Sequence, residues 1–200
     1  MARLQLNKSS LAREAKNLDI YRRFLPSLDL KRQQLMALSA AARRALASTQ
    51  AEVEAVTRSV GATLPMLAND RVDLSGLVRV EHVVLGEENL VGTTLPTLER
   101  VEVAVRAYAL MAQPHWVDDV ATALERVVRL KVRAQVEARR VDLLSQAVKT
   151  ITQRVNLFEK VLIPRAEDNI RRIRIYLSEQ DMAAVVRSKL AKRKHAEARA

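Results

Sequence analysis

The residues that could do chemistry in this sequence are few and scattered. The three histidines, His82, His115 and His195, lie far apart and form no spacing typical of metal ligands. The sequence contains no cysteine, so it offers no thiolate for a metal site or for nucleophilic catalysis. It also contains no Gly-rich phosphate-binding loop and no Gly-x-Ser-x-Gly motif. We therefore predict no catalytic residue, no metal site and no bound cofactor in this chain.

Two pairs of neighbouring acidic residues, Glu87–Glu88 and Asp118–Asp119, are the remaining candidates for acid–base chemistry. Neighbouring residues on a helix point in different directions, so such a pair does not converge on one reacting atom. We interpret both pairs as solvated residues at a turn and at a helix start, where carboxylates suit the positive end of the helix dipole. Trp116 is interpreted as an anchor where this helix meets the preceding segment.

The net charge of +11 favours a polyanionic partner: nucleic acid, an anionic membrane surface or an acidic protein. Basic residues are concentrated in the C-terminal tail at Arg187, Lys189, Lys192, Arg193 and Lys194. Two interpretations stay open for this tail, a polyanion-binding arm and a solvated helix end whose cations suit the negative end of the dipole. Aromatic residues that would stack on single-stranded nucleic acid are not interleaved with these cations.

Long helices must position these residues, because the chain has only four glycines and 3% aromatic residues and is rich in aliphatic and charged residues. Apolar residues recur with alternating three- and four-residue steps, which is the 3.5-residue repeat of a coiled coil. This apolar row, called the seam below, includes Leu46, Val53, Val56, Val141, Leu144, Val148, Ile151, Val155, Phe158 and Leu162. Glu137 is the one misfit, and we expect it to lie outside the seam, in water or against a partner.

The predicted fold class is mainly α: a long antiparallel two-helix coiled coil formed by the N- and C-terminal helices, with a small irregular or β-hairpin knob between them. The N-terminal helix would cover residues 1–61, with a kink or short break near Pro26 and a stop at Gly61. The knob would cover 62–115, and the C-terminal helix with its basic tail 116–200. Pro164 should bend that helix without ending it, because the apolar row continues beyond it to Leu177.

The knob contains two alternating stretches, Leu77–Val83 and Leu98–Ala107. We predict two strands joined by a long turn from Glu87 to Pro96. A lone hairpin is only marginally stable in water, so it must lean on the helices or on another protein chain. No stretch is long and apolar enough to span a membrane, and the first ten residues lack the apolar core of a signal peptide. We therefore expect no direct membrane insertion.

The segment Thr152–Arg165 closely resembles a motif of the D subunit of the vacuolar/archaeal-type rotary ATPases, approximately T-x-R-R-V-N-A-L-E-x-V-x-I-P-R. The residues that carry this likeness are Arg154, Val155, Asn156, Glu159, Ile163, Pro164 and Arg165. Asn89, Gly92 and Pro96 resemble the N-x-x-G-x-x-x-P of the same family's connecting region. Asn7-Lys8-Ser9 and the segment Leu28–Leu35 resemble two N-terminal motifs of that family.

The resemblance implies a non-catalytic rotor, the component of the central stalk that couples ATP hydrolysis or synthesis in a catalytic ring to ion translocation across a membrane. The implied partners are the catalytic A and B subunits, the F subunit of the central stalk, and the C subunit (called d in eukaryotes), which links the stalk to the membrane rotor ring. A cytoplasmic position, peripheral to the membrane, is implied as well. The resemblance implies neither direct binding of nucleic acid nor a cofactor.

Two other classes of function remain as alternatives. A basic coiled-coil protein that binds nucleic acid would bind much more tightly at low salt than at high salt. A coiled-coil scaffold would form a long parallel dimer rather than a hairpin of two helices within one chain.

Overall fold

The computed structural model describes residues 4–63, 74–108, 114 and 116–197. In chain order the elements are helix α1 (Lys8–Thr63), strands β1 (Val78–Leu90) and β2 (Thr93–Val105), helix α2 (Trp116–Leu157), a π-helical turn (Phe158–Leu162) and helix α3 (Ile163–Glu197). The chain is mainly helical (77%), and its long N- and C-terminal helical segments flank a small two-stranded antiparallel sheet. The predicted fold class is confirmed.

Helix α1 begins at a polar cap. The Asn7 side-chain oxygen accepts a hydrogen bond from the backbone N–H of Ser10 at 2.7 Å, and the Asn7 carbonyl accepts from Leu11. A side-chain acceptor at this position satisfies one of the four N–H groups that a helix start leaves without a partner. Asn7 is therefore the N-cap of α1.

Helix α1 is continuous through Pro26 and Gly61. Pro26 lies inside the helix, so the predicted short break does not occur, and a kink at this residue stays a prediction. Proline removes one backbone hydrogen bond, whereas Leu25 and Leu28 on either side are half-buried and keep their packing. Gly61 does not end the helix either, because α1 continues to Thr63, whose hydroxyl donates to the Ser59 carbonyl at 2.8 Å.

The first of two compact units comprises residues 1–31 and 150–200. Glu14 accepts a hydrogen bond from the Asn169 amide at 3.3 Å, and the rings of Tyr21 and Phe158 meet edge to face with centroids 5.5 Å apart. The later residue of α1, Tyr21, contacts the earlier residue of the second segment, Phe158, so the two segments run antiparallel within one chain. The buried apolar residues of this unit are Ile151, Val155, Ala166, Ile170 and Ile173.

The second unit comprises residues 32–149 and contains the hairpin. Its helical part includes the buried residues Leu35, Val56 and Leu144, and the Arg43 guanidinium donates to the Ser145 hydroxyl at 3.3 Å. At the start of α2 the buried residues Leu77, Trp116, Val117, Val120 and Ala121 form one apolar cluster. Trp116 therefore packs where the hairpin segment joins α2, as the sequence predicted.

The start of α2 also carries a polar contact beside this cluster. Asp118 and Asp119 lie in the first turn of α2, as predicted. The Tyr108 hydroxyl donates to the Asp118 carboxylate at 2.5 Å. This hydrogen bond raises the pKa of Tyr108 above its ordinary value, because the neutral hydroxyl is the form that can donate.

The hairpin has longer strands and a shorter turn than predicted. Only Val91 and Gly92 connect β1 to β2, with φ values of 53° and 74°. A two-residue turn with positive φ at both positions matches the twist of the flanking strands. The Asn89 side-chain oxygen accepts the Gly92 N–H at 3.0 Å and stabilises the turn. The predicted long turn from Glu87 to Pro96 is therefore wrong, and those residues extend the two strands.

The strands are paired in antiparallel register from Val78↔Val105 to Leu90↔Thr93, with irregularities between Val80 and His82 and between Val84 and Leu85. Gly86 lies beside the second irregularity. A Cβ atom at Gly86 would clash with the side chains of Glu99 and Thr97. A larger residue at this position would therefore need the Glu99 and Thr97 side chains to move aside.

The chain stays helical through Pro164, as predicted, and a π-helical turn precedes the proline. The Ile163 N–H donates to the Phe158 carbonyl, five residues earlier. Proline has no N–H and crowds the carbonyl of the preceding turn, which is Lys160 here. The wider π turn accommodates this crowding, and α3 then continues with Ala166, Ile170 and Ile173 buried.

The residues assigned to the seam differ in burial. Val56, Leu144, Ile151 and Val155 are buried. The other six are half-buried: Leu46, Val53, Val141, Val148, Phe158 and Leu162. Only one side of each helix can pack on its partner, so the edges of an apolar stripe keep part of their surface in water.

We expect Val91→Asn to stabilise the protein. A β-branched residue at φ 53° is strained, and left-handed backbone costs an ordinary L-residue roughly 1–2 kcal/mol, whereas Asn adopts it readily. Thermal unfolding should show a higher midpoint for Val91→Asn, with a gain of about 1 kcal/mol. Val80→Asn, at an exposed strand position, is the matched control and should give no gain. An unchanged or lower midpoint for Val91→Asn would contradict the strained turn.

We expect Ile151→Asp to destabilise the first unit by roughly 3 kcal/mol or more, because it places an unpaired charge at a buried position. Gln153→Asp, two residues away on the exposed side of the same helix, should change the free energy of unfolding by less than about 0.5 kcal/mol. Chemical denaturation monitored by helical circular dichroism measures both. Equal effects of the two substitutions would show that Ile151 is not buried in the folded chain.

Candidate functional site

The candidate site lies where the hairpin is fixed to α2. Arg129 donates from Nη1 to the Val101 carbonyl of β2 at 2.7 Å. Arg140 donates from Nη1 to the Pro96 carbonyl of β2 at 3.2 Å. The two arginines are eleven residues apart, about three helical turns, so they project from one side of α2. Both hold the backbone of the same strand.

Each arginine is also held by a carboxylate. Glu125, one turn before Arg129 on α2, accepts from the Arg129 guanidinium at 2.7 Å. Glu88 of β1 accepts from Arg140 at 3.0 Å, and this arginine side chain keeps only 24% of its surface exposed. Hydrogen bonds that involve charged groups are shorter and stronger than neutral ones. These pairs therefore fix the guanidinium groups in the orientation that reaches β2.

A cavity of about 670 Å³ lies in the second unit between α1, the hairpin and α2. Its apolar lining comes from Leu38, Ala41, Ala42, Ala45, Leu90, Leu98, Val136 and Leu144. The three alanines provide little side-chain volume opposite the hairpin, which leaves room for this space. Arg133, Glu137 and Arg140 supply most of the polar part of the lining.

Glu137 corrects one expectation. The side chain is only 14% exposed and pairs with Arg133 at 3.0 Å, so it does not lie in open water outside the seam. Its second oxygen is buried without a hydrogen-bond partner among the described residues. The pairing with Arg133 one turn earlier on α2 lets a carboxylate occupy a position where the apolar repeat expected a hydrocarbon side chain.

The residues that resemble the family motif lie around the π-helical turn. Val155 is buried, while Asn156 and Ile163 are half-buried. The remaining four are exposed: Arg154, Glu159, Pro164 and Arg165. The connecting-region residues have local roles in the hairpin, because Asn89 and Gly92 form the turn and Pro96 supplies the carbonyl that Arg140 binds.

The residues first considered for chemistry are not brought together. His82 is exposed on β1 and His195 is exposed near the end of α3, while His115 lies outside the described residues. Glu88 pairs with Arg140 and Asp118 with Tyr108, so both acidic pairs are split between different contacts. Within the described residues no three His, Asp or Glu side chains form a group that could hold a metal ion.

The apolar repeat does not predict the role of Arg129 and Arg140, because neither residue belongs to it. Their eleven-residue spacing marks a common helix side, but the sequence does not identify the carbonyl groups opposite them. Tyr21 and Asn169 were missed for the same reason, since neither belongs to the apolar repeat. No helix among the described residues is long and apolar enough to cross a membrane.

Comparison with known proteins agrees with the resemblance seen in the motifs. Residues 10–193 match the protein family described as the D subunit of ATP synthase. The chain belongs to this family. Its relatives in the ATP synthase D-subunit family include proteins named as the D subunit of V-type ATP synthase. The one from Borreliella burgdorferi is 31% identical over 192 residues, which cover 96% of this chain and 95% of that protein.

A second relative with the same name, from Chlamydia trachomatis serovar L2, is 31% identical over 198 residues. The aligned residues cover 96% of this chain and 96% of that protein. The Chlamydia muridarum protein of that name is 30% identical with the same coverage. The likeness therefore extends over both units and the hairpin of this member of the ATP synthase D-subunit family, well beyond the segment Thr152–Arg165.

We expect Arg140→Ala to loosen the hairpin from α2. The substitution removes the hydrogen bonds to Pro96 and Glu88 together, and a hydrogen bond that involves a charged group contributes about 1.5–3 kcal/mol. The backbone amides of β2 should exchange with solvent faster in Arg140→Ala, as measured by hydrogen exchange. Arg126→Ala, at an exposed position on α2, is the matched control and should leave exchange unchanged. Equal exchange in both variants would contradict an anchoring role for Arg140.

Proposed function

We propose that this chain is the central-stalk rotor of a V-type rotary ATPase and that it has no catalytic site of its own. The observation that carries the proposal is the match of residues 10–193 to the ATP synthase D-subunit family. Antiparallel helix pairing within one chain supports it physically, because a shaft that transmits torque must resist twisting along its length. Contacts such as Arg22–Glu167 at 2.6 Å and Arg43–Ser145 at 3.3 Å tie α1 to the later helices in each unit.

In this proposal the first unit is the part that the catalytic A and B subunits surround. Two features support this. Residues 1–31 and 150–200 contain 19 of the 34 Lys and Arg residues but only 9 of the 23 Asp and Glu residues. The later part of α3 exposes Met182, Val185, Val186 and Leu190 at 52–61%. An exposed apolar stripe among cations favours cover by other protein chains.

The other proposed partners are the F subunit of the central stalk and the C subunit, called d in eukaryotes, which would connect this chain to the membrane rotor ring. The chain would then be cytoplasmic and peripheral, attached to the membrane only through those proteins. ATP hydrolysis in the ring would turn the shaft, and ion flow through the membrane part would turn it in reverse. The family assignment favours this function over a nucleic-acid-binding protein and over a coiled-coil scaffold.

Single-molecule rotation tests the proposal. The chain has no cysteine, so Thr94→Cys, at an exposed position of β2, provides one attachment point for a bead. The complex is reconstituted with its catalytic ring fixed to a surface. We expect the bead to rotate in one direction when ATP is supplied and to stop when the ring is inhibited.

Two controls accompany this measurement. A bead on the catalytic ring should not rotate, and the purified chain alone should hydrolyse no ATP. A bead that stays still on an assembled complex that hydrolyses ATP would contradict the rotor assignment.

A further inference from the structure

Among the described residues, one edge of the hairpin is covered and the other meets no partner. A two-stranded sheet leaves a row of unpaired backbone groups on the outer side of each strand. On β2 two of these outward groups are occupied, because the carbonyls of Val101 and Pro96 accept from Arg129 and Arg140. Pro96 also has no N–H to offer on this edge, as is typical of prolines in edge strands. Helix α2 therefore covers the outer edge of β2.

The register identifies the groups that face outward on β1. In an antiparallel pair, directly opposed residues alternate between those that exchange hydrogen bonds and those whose backbone groups point away from the partner. The short turn makes Leu90 and Thr93 a bonded pair. Counting back along β1, the outward residues are Asn89, Glu87, Leu85 and Val83.

Two independent contacts agree with this assignment. Pro96 is opposite Glu87 and Val101 is opposite Val83, and both use their carbonyls outward, toward α2. At the base of the hairpin, the Arg106 N–H donates to the Leu77 carbonyl, which fits the same alternation after the irregularity at Glu81.

Within the described residues no hydrogen bond reaches the β1 backbone from outside the hairpin. β1 is 13 residues long, and Val80 and Leu85 expose 43% and 53% of their surface. Folded proteins normally shorten, cover or interrupt an edge of this length, because it is a template for pairing with another strand. An edge of this kind suits recognition by strand addition.

Charge selects the chemistry of the added strand. The hairpin contains five glutamates and only two arginines, although the whole chain carries +11. Glu102 pairs with Arg100, and Glu88 pairs with Arg140. This leaves Glu81, Glu87 and Glu99 exposed and without an ion pair among the described residues. A strand with Lys or Arg side chains complements them, whereas pairing of β1 with a second copy would oppose acidic side chains.

We propose that the outer edge of β1 binds an extended, basic segment of another protein chain as a third strand of the hairpin sheet. The proposal rests on the proposed function only for the source of that segment, which is the assembled ATPase complex. The added strand would pair with the outward backbone groups of Val83, Leu85, Glu87 and Asn89, and its cations would lie beside Glu81, Glu87 and Glu99. Such pairing would also stabilise a sheet that two strands alone hold weakly.

Hydrogen exchange at single amides tests this pairing in the isolated chain and in the reconstituted complex. We expect the amides of Leu85 and Glu87 to exchange fast in the isolated chain and at least about tenfold more slowly in the complex. The amides of Gly86 and Glu88, which face β2, serve as internal references and should be protected in both states. Equal exchange of Leu85 and Glu87 in the two states would overturn the proposal.

Glu87→Pro and Glu87→Gln separate the backbone from the charge. Proline at position 87 removes only an outward N–H, so the Gly86 and Glu88 references should stay protected while the Leu85 amide loses its protection in the complex. Glu87→Gln keeps the N–H and should retain that protection, with a weaker dependence on salt. Protection of Leu85 in Glu87→Pro equal to that in Glu87→Gln would overturn strand addition.

Two further outcomes distinguish the causes of failure. Protection that rises with the concentration of the isolated chain would mean pairing with a second copy, which overturns the proposed basic partner. A complex that rotates a bead on ATP but leaves the β1 amides unprotected would overturn this inference and leave the rotor function intact. A complex whose β1 amides are protected but which does not rotate a bead would overturn the rotor function and leave this inference intact.

Discussion

Antiparallel packing of α1 against the later helices is the interaction on which the rest of the structure depends. A helix of 56 residues with a polar surface gains little stability by itself, since most helical stability in proteins comes from packing an apolar face. In the first unit Ile151, Val155 and Ile173 are buried, and in the second Leu35, Val56 and Leu144 are. Without that burial, the long helices would lose the packing that keeps them ordered.

The hairpin depends on this packing in turn. Two strands are too few for independent stability. Helix α2, which is held by its packing on α1, anchors the hairpin because its Arg129 and Arg140 side chains bind the β2 backbone. Within the described part of the chain, the backbone groups on the outer edge of β1 have no partner. If the proposed strand addition is correct, support and recognition fall on opposite edges of one small sheet.

The sequence predicted the features that follow from periodicity. The 3.5-residue repeat, together with the four glycines that all lie between positions 61 and 92, was enough to predict two long helices with a small hairpin between them. The carboxylates at Asp118 and Asp119 marked the start of α2 through their preference for the helix dipole.

What the sequence could not predict depends on contacts between distant residues. Val91 disfavours positive φ, so its place in a two-residue turn became evident only from the register. Pro164 located a crowded turn but not the π-helical turn that accommodates it. Glu137 interrupts the apolar repeat, and the ion pair with Arg133 compensates for placing its carboxylate there. In the candidate site, the sequence could not predict what Arg129 and Arg140 bind, because their carbonyl partners lie 28 and 44 positions away in the chain.

Covalent trapping of the helix pair within a single chain tests the central claim most directly. Arg43→Cys and Ser145→Cys introduce the only thiols in the chain at two side chains that contact each other across the pair. A short bismaleimide is added after dilution with an excess of unsubstituted protein, and the products are separated by size under denaturing conditions. Antiparallel pairing within one chain predicts an internally linked monomer whose yield does not depend on dilution. Products that are exclusively linked dimers, lost on dilution, would contradict it.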